Sequence, residues 1–140
     1  MDIQIRAMNK IKSRLIFLTV GGVGYTVIEL LWRGRTHWTM ALAGGICFLA
    51  FSEIARIFRH KPLLFKAALA SFTVTLVELG FGIVVNRIFK IAVWDYSEKR
   101  FNILGQICPT YSALWLCLGI IFLPLADFMN KRMGIEESEE

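Results

Sequence analysis

"VWDYSEKRFNILGQICPTYSALW", residues 93–115, lies between two strongly apolar runs, yet it carries Trp94, Asp95, Tyr96, Glu98, Lys99, Arg100, Asn102, Gln106, Tyr111 and Trp115. A plain loop has no need of so many aromatic rings, and a plain membrane span does not accommodate so many charged and amide groups. The stretch therefore marks a boundary between two spans and a place where polar groups gather. The runs on either side decide the fold. Each is nearly free of charge over about 20 residues, the length an α-helix needs to cross a ~30 Å hydrocarbon core.

The same alternation runs through the whole chain. Of its 140 residues, 56% are apolar and 19% are charged, and mean hydropathy is +0.56. A soluble domain carries about a quarter charged residues and no such runs. Spans are predicted at 15–32, 38–58, 63–89 and 109–129, within a transmembrane bundle over 15–130. Pro109 is well placed to begin the last of them. A basic, interfacial N-terminal segment, 1–14, precedes the bundle, with Ile3, Ile5, Met8 and Ile11 as its apolar residues. A charged tail, 131–140, follows it. The first apolar run lacks a cleavage site and is expected to remain as an anchor.

The net charge of +5 is read by position. Arg6, Lys10, Lys12, Arg14, Arg56, Arg59, Lys61, Lys66, Lys131 and Arg132 fall on one side of the predicted bundle. Arg33, Arg35, Arg87, Lys90, Lys99 and Arg100 fall on the other, diluted by Asp95 and Glu98. This bias predicts a multi-pass protein of the cell membrane with both termini cytoplasmic. No soluble module with a basic face is present, so nucleic acid is not an expected partner.

The chain also repeats itself. "TVIEL" at 26–30 matches "TLVEL" at 75–79, and "GGIC" at 44–47 matches "GQIC" at 105–108. Each half reads as a helical hairpin whose first helix holds a glutamate. The fold class is accordingly all-α, a four-transmembrane-helix bundle of two parallel-related hairpins. The second half is longer between glutamate and Gly-x-Ile-Cys, and the extra residues include "VWDYSEKRFN". The third connection is therefore elaborated.

Carboxylates in hydrocarbon are costly, so Glu29 and Glu78 should face the bundle interior or water. At ~1.5 Å per residue both lie roughly 20 Å into their helices, at similar depth. Arg33, Arg35, His37, Arg87, Trp94, Asp95, Tyr96, Ser97, Asn102, Gln106, Tyr111 and Trp115 are predicted at or near the same end. Two readings stand side by side. In one, Glu29 pairs with Arg33 four residues on and Glu78 with a neighbouring helix. In the other, an outward-facing polar pocket is floored by both glutamates and covered by residues 94–106 as a lid, with Asp95 reaching Arg33, Arg35 or Arg87. Asp95 capping a turn through the following backbone amides is the structural alternative. Trp94, Tyr96 and Trp115 serve either the pocket or an aromatic belt at the interface, and residues 102–109 read as a re-entrant or interfacial stretch.

Other chemistry is sparse. No Gly-rich loop with a lysine is present, so the chain is not its own ATPase. His37 and His60 are isolated, and Cys47, Cys108 and Cys117 read as small apolar residues, so neither a metal nor another cofactor is expected. No serine or cysteine has a histidine base in a triad-like arrangement.

At "WDYS", residues 94–97, the sequence resembles the ABC-transporter type IV membrane family, CmpB-like, and the related transmembrane protein 229 group. The run from "ELGFG" to "SALW" carries the likeness, with Glu78, Gly82, Trp94, Asp95, Tyr96, Ser97, Phe101, Asn102, Gly105 and Trp115 at signature positions. The first half is more loosely similar, having "WRGRTHW" where many members carry Asn-Arg-Gly-Phe and Gly-Pro elements. The resemblance implies a permease-like or accessory transport component. Its expected partners are the lipid bilayer, a second copy or partner membrane subunit, and a separate ATPase. The alternatives are a membrane-embedded enzyme or binding protein for a lipid or isoprenoid, with Glu29, Glu78 or Asp95 as acid or base, and an assembly scaffold. The positional charge bias makes a direct prediction. In a cysteine-free background, Ser138→Cys should resist a membrane-impermeant maleimide in intact cells, and ready labelling there would reverse the orientation.

Overall fold

Four long helices carry the chain, each long and apolar enough to cross a membrane. They are α1 (Asp2–Arg33), α2 (Trp38–Ile57), α3 (Leu63–Phe81) and α4 (Pro109–Arg132), with a π-helical segment, Gly82–Ile88, continuing α3. The computed structural model describes residues 1–135, so the end of the charged tail, including Ser138, lies outside the described residues. Among the described residues there is no strand, only an isolated bridge between Ile103 and Ile107.

The basic opening and the first span form one unbroken helix of 32 residues. It stops at Gly34, whose φ of 71° places its N–H on the Leu30 carbonyl, the left-handed cap that glycine adopts without strain. His37 then starts α2, its Nδ1 accepting from the Thr39 amide at 3.3 Å. Pro62 leads into α3, and Pro109 occupies the first turn of α4, where its missing N–H costs nothing.

Small residues bring α1 and α2 together. A Cβ on Gly21 would lie 2.5 Å from the Phe48 Cβ, and one on Gly45 would lie 2.6 Å from the Leu18 carbonyl oxygen. A Cβ on Gly44 would run into the Tyr25 side chain. The second hairpin closes on Gly119, which faces Ala67 and Ala70, and on polar bonds from α3 to α4. Ser71 Oγ donates to the Ser112 carbonyl at 2.6 Å, and Thr75 Oγ1 lies 2.8 Å from Ser112 Oγ. Near the termini α2 and α4 are joined by Ser52 and Asn130, which exchange bonds of 2.6 and 3.0 Å in a buried setting. Around that pair lies the apolar core of Phe17, Phe48, Phe51, Ile54, Ala67 and Leu123. Large apolar residues such as Val23, Leu31, Phe72 and Ile121 face outward, the arrangement a lipid solvent selects.

Two tandem hairpins are thus present, with Glu29 and Glu78 buried in their first helices. A parallel repeat leads one to expect α1 against α3, and there the structure differs. α1 packs on α2 and α3 on α4, α2 bridges the two pairs, and contact between α1 and α3 is marginal at most. The reason is steric: the close-approach face of α1 is already occupied by the glycines of α2. The two Gly-x-Ile-Cys matches also fall on different structures, inside α2 in one half and on the turn before α4 in the other.

Crowding at these glycines sets their tolerance. Gly21→Ala or Gly45→Ala should destabilise the protein by about 1–3 kcal/mol through overpacking. Gly24→Ala and Gly80→Ala, whose Cβ positions are open, should be neutral or slightly stabilising. Thermal unfolding in detergent checks the contrast, and equal melting temperatures for Gly21→Ala and Gly24→Ala would contradict it.

Candidate functional site

The segment between α3 and α4 folds back on the bundle, and amides organise it. Asn86, on the π-helical segment, accepts from the Val93 amide through Oδ1 at 2.7 Å and donates through Nδ2 to Gln106 Oε1 at 2.8 Å. Gln106 Nε2 in turn donates to the Leu104 carbonyl, and the Gln106 carbonyl accepts from Trp94 Nε1 at 3.0 Å. Gly82 is needed here because a Cβ would lie 2.6 Å from Gln106 Oε1. Asn102 holds the outer turn, donating to the carbonyls of Ser97 and Lys99 and accepting from the Gly105 amide at 3.0 Å. The Tyr96 amide donates to the Gly105 carbonyl at 2.7 Å, and Gly105 itself has φ of 70°. Lys90, Ala92, Phe101 and Leu104 also take positive φ, a conformation disfavoured for residues with a Cβ.

Asp95 does not reach an arginine. It is exposed and its Oδ1 accepts from the Ser97 amide at 2.9 Å, and among the described residues it forms no ion pair. That backbone donor holds the Asp95 carboxyl below its usual range. The expected cationic partners are engaged elsewhere or stand in solvent. Arg33 Nη1 donates to the Val93 carbonyl at 2.9 Å, tying the segment to α1, and Arg87 Nη1 donates to the Leu104 carbonyl at 3.3 Å. Arg35 is exposed, and His37 serves as the α2 cap. Nor do Trp94 and Trp115 stand in an interfacial belt, since both are buried. The large apolar side chains this segment exposes include Phe89, Ile91, Phe101, Ile103 and Leu104.

The two glutamates have different surroundings. Arg33 Nη2 lies 2.9 Å from both carboxylate oxygens of Glu29, the pairing expected for residues four apart on a helix. Among the described residues Glu78 has no cationic partner. Its Oε1 accepts from the Tyr96 hydroxyl at 2.8 Å and its Oε2 from Trp115 Nε1 at 3.1 Å. Tyr96 stacks on Tyr111, ring centroids 4.6 Å apart and planes 10° from parallel. Burial and the neighbouring Glu78 push the Tyr96 phenol far above its usual range, so it remains a proton donor.

Beside Glu78 lies a cavity of about 370 Å³ between α1 and α3, walled also by α2 and α4. Tyr25, Met40, Phe81 and Trp94 close it toward the loops, and Phe48, Phe51 and Phe122 line it nearer the termini. Val20 and Val27 of α1 and Leu125 of α4 line it while also being exposed at the surface. It therefore opens sideways, where lipid would lie. A polar pocket floored by both glutamates is one of the two sequence readings; the other pairs Glu29 with Arg33 and Glu78 with a neighbouring helix. The cavity observed is apolar apart from Glu78 and Tyr25, and Glu29 does not line it. The Tyr25 hydroxyl makes no hydrogen bond among the described residues, and its ring reaches Trp115 of α4 at a centroid distance of 6.1 Å.

Two of these residues escaped the sequence reading. Tyr25 lies four residues before Glu29 on α1, and Asn86 lies eight after Glu78 in the same apolar run. A polar side chain inside such a run was the available signal.

The sequence model of the family described as "Putative ABC-transporter type IV" matches residues 15–137. The chain belongs to this family. The match spans both hairpins and the segment between them, so membership rests on more than the "WDYS" half. With four spanning-length helices, this ABC-transporter type IV chain is a multi-pass membrane protein of a transport-related family. No solved structure matches it.

The amide network gives a graded expectation. Asn86→Leu, which strands the Val93 amide and the Gln106 side chain, should cost about 1–3 kcal/mol. Asn102→Ala should also destabilise, and more than Asp95→Ala, whose turn is solvated. Because the Asp95 carboxyl is held low, its capping is intact at neutral pH and fades only as pH falls through that lowered value. Melting temperatures in detergent test the order, which Asp95→Ala matching Asn86→Leu would break.

Proposed function

We propose that this chain is the membrane-embedded component of a transport system for a largely apolar, lipid-like substrate, which enters sideways between α1 and α4 and anchors its polar group at Glu78. The apolar cavity with one carboxyl group on its wall carries this reading. A small ion or sugar would find only Glu78 and the Tyr25 hydroxyl there and would lose its hydration without replacement. A hydrocarbon chain loses nothing on entering. Each carboxylate oxygen offers two lone pairs, and Tyr96 and Trp115 use one on each. A substrate hydroxyl or ammonium has acceptors left, and the Tyr25 hydroxyl lies on the same wall.

The family supports transport, and since this sequence carries no phosphate-binding loop, an ATPase in such a system would be a separate chain. With both termini cytoplasmic in the cell membrane, the segment folded over Glu78 lies on the outer face. Enzymatic use of Glu78 on a lipid is less well supported, because Glu29 and Asp95 are both committed to structural bonds.

A long-chain alcohol bearing a diazirine tests the reading in reconstituted nanodiscs. Photoadducts should map to residues lining the cavity, around 20–28 and 118–125. They should fall several-fold in Gly24→Phe, which fills the open mouth beside α1, and in Glu78→Gln to a smaller degree. Adducts spread over outward residues such as Phe72 and Ile121, unchanged by Gly24→Phe, would refute a substrate cavity.

A further inference from the structure

A second cavity, of about 330 Å³, lies at the opposite end of the bundle, between the first turns of α1, the end of α2 and the residues just beyond α4. Arg6, Lys10 and Arg14 stand along its α1 wall. Spaced four residues apart, they form one row on the helix. None takes part in an ion pair or hydrogen bond among the described residues. Across from them Glu53 pairs with Arg56, so the facing wall adds little net charge. Between the walls the lining mixes the apolar Phe17, Leu49 and Met133 with the polar Asn9, Ser13 and Ser52.

We propose that this cleft binds the phosphate of an anionic phospholipid, with Arg6, Lys10 and Arg14 on the phosphate oxygens and Leu49 and Met133 against the first methylenes. A row of cations over a floor that offers both hydroxyl or amide groups and apolar side chains suits an anion that carries hydrocarbon better than a fully hydrated one. The depth agrees, because Arg14 directly precedes Leu15, where the apolar run begins, and that is where headgroups lie. The site is separate from the cavity at Glu78. Phe17 lines one and Phe48 the other, and their rings meet at a centroid distance of 5.3 Å.

Basic residues at a span end also act as a diffuse topological signal, and Lys12 separates the two roles. It belongs to the same segment and carries the same charge, but it does not line the cleft. The full-length protein, purified in neutral detergent, is titrated with short-chain phosphatidylglycerol and followed by native mass spectrometry. Four glutamates follow Ile135 in the sequence, and any charge they contribute is the same in every arm. Binding should saturate, and Lys10→Gln should weaken it roughly fivefold, the loss of one basic residue near the phosphate. Lys12→Gln should leave it unchanged, with the lipid-free melting temperature of both variants equal to the parent's. Inorganic phosphate at the same concentrations should not compete. Equal weakening by Lys10→Gln and Lys12→Gln would reduce the effect to diffuse charge and overturn the site. Full competition by inorganic phosphate would overturn its assignment to a lipid. Neither result touches the reading of the Glu78 cavity, which this site does not share.

Discussion

A carboxyl group inside hydrocarbon must find its hydrogen-bond partners within the protein, since lipid offers none. Glu78 meets that demand by drawing three parts of the chain to one point. It stands on α3, Trp115 comes from α4, and Tyr96 comes from the segment between them. The bend that delivers Tyr96 depends on Asn86 and Gln106, and the close approach of Gln106 depends on Gly82. Removing the acid would leave two buried donors and a folded-back segment without their common acceptor. Much of the second hairpin is arranged to satisfy one side chain.

The first hairpin is built on a different principle. Its glutamate is neutralised locally by Arg33, and shape rather than hydrogen bonding holds α1 to α2, through Gly21, Gly44 and Gly45. Because α1 is bound that way on one side, it has no comparable surface for α3. The gap left over is the cavity. The two tandem hairpins are thus unlike, one closed by glycines and the other by a polar network, with apolar space between them.

The four spans and the hairpin order were legible because lipid imposes a strong and simple pattern of length and charge. The local pairing of Glu29 with Arg33 was legible for the same reason, being fixed by helical spacing alone. Asp95 was harder. The sequence left two roles open for it, an acid reaching an arginine and a cap on the following backbone amides, and the bond from the Ser97 amide is the second. The aromatic residues were likewise open in the sequence, between the pocket and an interfacial belt. Trp94 and Trp115 look like interfacial anchors in sequence, and only tertiary structure shows that they face inward to Gln106 and Glu78. The apolar character of the cavity was not readable at all, because cavity-lining and lipid-facing residues have the same chemistry.

The continuity of α1 carries a mechanical consequence. At ~1.5 Å per residue, its 32 residues extend about 48 Å, well beyond a hydrocarbon layer of ~30 Å. The surplus is unbroken helix, with no hinge at which the basic turns could fold flat along the surface independently of the span. Hydrophobic mismatch is therefore resolved by the helix as a rigid rod, through tilt. Any change in bilayer thickness that alters the tilt of the span swings Arg6 and Lys10 through the headgroup layer by the same angle.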